Sequence, residues 1–132
     1  MPDGIGGGTV RVGKVTLTAA QVQALVTTPI TLVSAPGAGM IVSILSATCY
    51  IDYHSVAYTT GADILIEYGT STIVTFDGVL ALTADTVMVA SQGGSAVVAS
   101  VSNAAVVITA DDVPGAGDSP VTVSAVYTLI SL

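Results

Sequence analysis

Val, Thr and Ile crowd into short runs that Gly, Pro, Asp or Ser cuts every few residues, a pattern that directs this chain to β-structure. Branching at Cβ suits a pleated strand and crowds a helix. Helical periodicity is confined to residues 19–25, where Thr18 and Gln21 have capping-box spacing and Thr27-Thr28-Pro29 stops the turn. Strands are expected near residues 9–17, 28–33, 40–53, 62–68, 72–76, 86–91, 96–110 and 121–129, the seventh splitting in two near Ser102-Asn103. The glycines and prolines of residues 35–39 and 114–118 read as sharp reversals, and Asp77-Gly78 and Gln92-Gly93-Gly94 as further connections. Eight to nine short strands without intervening helices predict an all-β fold, an antiparallel sandwich or jelly roll with one short helix. Residues 1–9 read as a Gly-rich N-terminal arm and residues 10–132 as a single β-sandwich domain.

Charge is the second constraint. Only 8% of the 132 residues are charged while 52% are hydrophobic, which excludes intrinsic disorder. Arg11 and Lys14 are the only Lys or Arg residues and the net charge is −7, so almost nothing is left to neutralise phosphates, and no nucleic-acid partner is expected. No apolar run approaches the roughly 20 residues of a membrane-spanning helix, so no membrane partner is expected either. A folded chain of this size exposes about 6,000 Å², more than so few charges can dress. Large apolar patches mark interaction sites, so the chain is expected to be an oligomer or a subunit of something larger. The N-terminus has neither the basic nor the apolar region of a secretory signal, which predicts synthesis in the cytoplasm.

Side-chain alternation assigns faces. In residues 62–68, Ile64, Ile66 and Tyr68 share one face and Asp63 and Glu67 the other, as in a half-exposed strand. In residues 40–53, Ile41, Leu45, Cys49 and Ile51 read as inward, with Met40, Val42 and Ile44 opening the outer face. Those three would meet a partner subunit, or lie under a helix or loop of the same chain. Near the start, Val10 and Val12 change register to Val15 and Leu17 across Gly13, and a β-bulge there would turn all four inward.

Few constellations could carry chemistry. Asp52-Tyr53-His54-Ser55 holds the only histidine, yet adjacent residues on a strand point to alternate faces, and no Gly-framed serine elbow accompanies them. Asp111, Asp112 and Asp118 surround a Gly-rich loop with the oxygen ligands a hard cation favours, but without the spacing of a calcium loop. Cys49 is the only cysteine, which excludes a disulfide within the chain and a cysteine-cluster zinc site. Residues 4–8 lack the strand, helix and lysine of a phosphate-binding loop. The five tyrosines could line a sugar-stacking platform, but with no Trp beside them core or interface packing is the better reading. No catalytic residue, metal or cofactor is expected. Arg11 and Lys14 follow the Gly-rich arm, which could reach an acidic neighbour with Ile5 as its apolar anchor, or they could simply solvate an edge strand.

Thr16-Leu17-Thr18-Ala19-Ala20-Gln21-Val22-Gln23-Ala24-Leu25, then Thr27-Thr28-Pro29-Ile30-Thr31-Leu32-Val33 and Ala35-Pro36-Gly37-Ala38-Gly39, resembles the opening of small β-rich structural proteins of tailed bacteriophages. Asn103, residues 106–110, Gly117-Asp118 and a last strand with Val121, Val123 and Tyr127 resemble their closing hairpin. The chain departs from that pattern in having so few charges. The resemblance implies a jelly-roll-like virion component without catalytic residues. The expected function is therefore a head decoration (cement) protein, a homotrimer on the outer head surface that clamps neighbouring major capsid protein subunits. Its interface is expected to include Ile5, Arg11, Lys14, Met40, Val42 and Ile44. The alternative is a tail-tip or fibre domain that binds host-surface glycans, and a small hydrolase acting through His54 is a remote third.

Overall fold

The computed structural model describes residues 9–91 and 102–132. Eight strands run in the order β1 (Arg11–Leu17), β2 (Ile30–Val33), β3 (Met40–Ile51), β4 (Ile64–Tyr68), β5 (Ser71–Phe76), β6 (Thr86–Ser91), β7 (Val106–Ala110) and β8 (Val121–Ser131). They form two four-stranded antiparallel sheets, ordered β1-β8-β3-β6 and β2-β7-β4-β5. That order is a jelly roll, in which successive strands cross repeatedly from one sheet to the other. Among the described strands, only β4 and β5 are neighbours both in sequence and in a sheet. The first half of the strand expected over residues 96–110 lies outside the described residues.

The expected helix is a single short turn, α1 (Ala19–Gln23). Thr18 caps it as its spacing predicts: its side chain accepts from the Gln21 amide while the Gln21 side chain accepts from the Thr18 amide. Val22 and Leu25 reach the core from this segment. Between the sheets, Leu17, Ile51, Ile64, Ile66, Phe76, Leu80, Ile108 and Val121 are fully buried. Ile64, Ile66 and Tyr68 all face inward, as the alternation along β4 predicts.

Two facing assignments need correction. Val42 and Ile44 are core residues, 6% and 7% exposed, whereas Leu45 is 46% exposed. The cause is a β-bulge: Ile44 and Ser46 pair with the consecutive residues Tyr127 and Val126, which leaves Leu45 as the extra residue. Alternation reverses across the bulge, so Val42 and Ile44 share the inner face with Ala47, Cys49 and Ile51, and Met40 is half-buried. The second correction concerns Gly13. Arg11 to Leu17 pair with Tyr127 to Val121 in unbroken register, so there is no bulge, and Val10 and Val12 are exposed. Gly13 sits where the edges of the two sheets meet; a Cβ there would lie 2.9 Å from the Leu32 carbonyl oxygen. Glycine permits the close approach of β2.

The connections sort the charge. The segments at one end of the sandwich, 52–63, 77–85 and 111–120, carry Asp52, Asp63, Asp77, Asp85, Asp111, Asp112 and Asp118. At the opposite end, Asn103 takes the left-handed conformation its short side chain tolerates. Its Oδ1 accepts from the Gly37 amide at 2.8 Å and its own amide donates to the Met40 carbonyl, so these two connections are tied together.

Candidate functional site

Among the described residues, the polar side chains converge most densely where the segment leaving β3 runs beside the segment entering β8. Asp118 is the centre. Its Oδ1 accepts from the amides of Ser55 at 3.0 Å and Val56 at 2.8 Å, and its amide donates to the Val56 carbonyl. Its Oδ2 meets both the Ser55 hydroxyl and His54 Nδ1, the latter at 2.8 Å. Ser119 extends the contact, its hydroxyl accepting from the His54 amide and its carbonyl from the Tyr58 hydroxyl at 2.6 Å. Gly117 lets the Tyr58 ring lie flat against the chain, since a Cβ there would be 2.4 Å from a ring carbon.

This geometry fastens a loop. In a serine-hydrolase triad the histidine stands between serine and carboxylate so that it can take the hydroxyl proton. Here the carboxylate stands between histidine and serine, and the Ser55 hydroxyl donates to Asp118 where a triad would have it donate to His54. Asp52 was the carboxylate adjacent to His54 in sequence; the one that binds it is 64 residues away. Asp111, Asp112 and Asp118, grouped by sequence as possible cation ligands, have separate tasks. Asp111 accepts from the Asp63 amide and Asp112 from the Val113 amide, while Asp118 holds the loop. Among the described residues no group of three or more His, Cys, Asp or Glu side chains could hold a metal ion.

Hydrogen bonding to His54, with help from the Ser55 hydroxyl and the Val56 and Ser55 amides, holds the Asp118 carboxyl well below the usual carboxylate range. The same hydrogen bond and charge raise His54 above its ordinary 6.5. The stabilisation linked to the raised His54 is complete below about pH 6.5 and is lost as pH rises through its higher folded value. That linked to the lowered Asp118 is present above about pH 4 and fades as pH falls through its lower folded value. The clamp is therefore strongest between those limits. Asp118→Asn is expected to bring the NMR titration midpoint of His54 back toward 6.5; an unchanged midpoint would remove Asp118 as the cause.

The remaining sequence candidates disperse. Tyr58 and Tyr68 are buried, and Tyr127 packs against the core, so these three do not join a common exposed platform. Cys49 is fully buried, and burial pushes its thiol up to about 12. It is expected to resist a thiol reagent in the native protein and to react at the rate of global opening; rapid native labelling would contradict its burial. Arg11 and Lys14 are both exposed on β1 but stand three residues apart, on opposite sides of the strand, so they make no joint basic patch. Ile5 lies outside the described residues.

No protein-family model matches the sequence, and no curated protein matches it. Among solved structures, the fold is similar to a chain of the capsid asymmetric unit of cyanophage Pam1, with a TM-score of 0.55 and 22% identity. The likeness covers 95% of this chain and 87% of the other.

Proposed function

We propose that this protein is a structural component of a virion, and that it serves as a decoration (cement) protein on the outer surface of a phage head. In this reading it is made in the host cytoplasm, assembles as a homotrimer and clamps neighbouring major capsid protein subunits. The carrying observation is the likeness of the fold, over nearly its whole length, to a chain of a phage capsid. The Ser55 hydroxyl is bonded to Asp118 and not to His54, which argues for a structural role over hydrolysis. The N-terminal arm, with Ile5, and the exposed Arg11 at the start of β1 are then contacts to the capsid lattice.

The test is reconstitution. Purified protein added to expanded heads that lack it should bind saturably and raise the temperature at which they rupture. Removal of residues 1–9 should weaken that attachment. No binding to such heads at any concentration, by a protein with a normal thermal transition, would overturn the proposal.

A further inference from the structure

The two broad faces of the sandwich differ in kind. Strands β1, β8, β3 and β6 contain no Asp or Glu, and outward-facing Lys14 is the only charge on the exposed side of their sheet. That side presents Val12, Val87 and Val89, which are 67%, 57% and 72% exposed, between rows of Ser and Thr. Every large apolar side chain exposed on a described strand belongs to this sheet. The opposite sheet presents Thr31, Glu67, Thr72 and Thr75 instead.

We propose that the outer face of β1-β8-β3-β6 is the surface through which copies of this chain join one another. The inference rests on the homotrimer reading above and names its interface. Electrostatics selects the occupant. Two chains of net charge −7 repel, and an approach through the acidic end or the Glu67 sheet opposes carboxylates directly. This is the one broad face that joins exposed apolar side chains to an absence of carboxylates, so like copies meet there without that cost. Four strands about 4.8 Å apart and roughly 20–41 Å long give a footprint of about 500–700 Å² per copy. A standard interface takes about 800 Å² from each partner.

The experiment introduces carboxylates on each sheet of the full-length protein and reads oligomeric state by sedimentation velocity, with circular dichroism and thermal melts to verify folding. Wild type is expected to sediment as a trimer. Val87→Glu with Val89→Glu should weaken association about 100-fold or more, because each variant side chain brings a carboxylate into an apolar contact that strips it of water. Val12→Glu, at the other edge of the face, provides an independent variant should the first fail to fold. Thr72→Glu with Thr75→Glu, on the opposite sheet, should leave the trimer intact. A folded β6 variant that stays trimeric, equal dissociation by the opposite-sheet variant, or a monomeric wild type would overturn the inference. Head attachment is scored separately. A β6 variant that remains trimeric but no longer binds heads sinks this inference and leaves the cement reading standing; a wild-type trimer that this variant dissociates but that never binds heads does the reverse.

Discussion

Phe76→Ala is expected to lower the unfolding free energy by about 3–5 kcal/mol, a large share of the roughly 5–15 kcal/mol that holds a domain together. Phe76 ends β5 opposite Ile64 and is among the largest fully buried side chains. It is also the only Phe in a chain without Trp, so the surrounding Val, Ile and Leu residues have no comparable ring with which to fill the gap. Close-packed neighbours relax only in part, and the residual cavity adds to the lost transfer energy. Urea titration should show the midpoint fall with little change in slope. A loss below about 1 kcal/mol would mean that the site collapses freely, which the packed sandwich does not predict.

Gly117→Ala should be nearly as damaging for a substitution of a single methyl group. The new Cβ would lie 2.4–2.8 Å from three carbons of the Tyr58 ring, closer than real contacts allow. Tyr58 cannot swing aside cheaply, since its ring is buried and its hydroxyl is bonded to the Ser119 carbonyl. Overpacking of this kind typically costs about 1–3 kcal/mol, and here the unpaired Ser119 carbonyl adds to it. The loop held by Asp118 should loosen at the same time. Hydrogen exchange should therefore quicken at the Val56 and Asp118 amides more than in β8, and a variant as stable as wild type would contradict the tight contact.

The strand pattern was readable because burial between two sheets imposes period-two alternation, and Ile64, Ile66 and Tyr68 display it without interruption. The capping box at Thr18 and Gln21 was legible for a similar reason, its chemistry being complete within four residues. Facing along β3 was not legible, because Ile44 and Leu45 are both apolar and nothing local says which of them the bulge expels. Gly13 misled in the opposite sense. An edge glycine suits a bulge and a close sheet-to-sheet approach equally well, and only the carbonyl of Leu32, nineteen residues on, decides between them. The Asp118 clamp was hidden by distance along the chain: a carboxylate in a Gly-rich loop looks like a solvated turn until the loop after β3 is laid beside it.

The strand order has a consequence for synthesis. β8 bridges β1 to β3, and β7 bridges β2 to β4, so neither sheet can close until the last two strands have emerged. Contacts between sequence-distant segments also form slowly, and a ribosome delivers only about 5–20 residues per second. A polypeptide cut short before residue 106 has neither bridging strand and can complete neither layer. The topology thus acts as a length check, withholding the folded surface from any nascent chain in which β7 and β8 have not yet been translated.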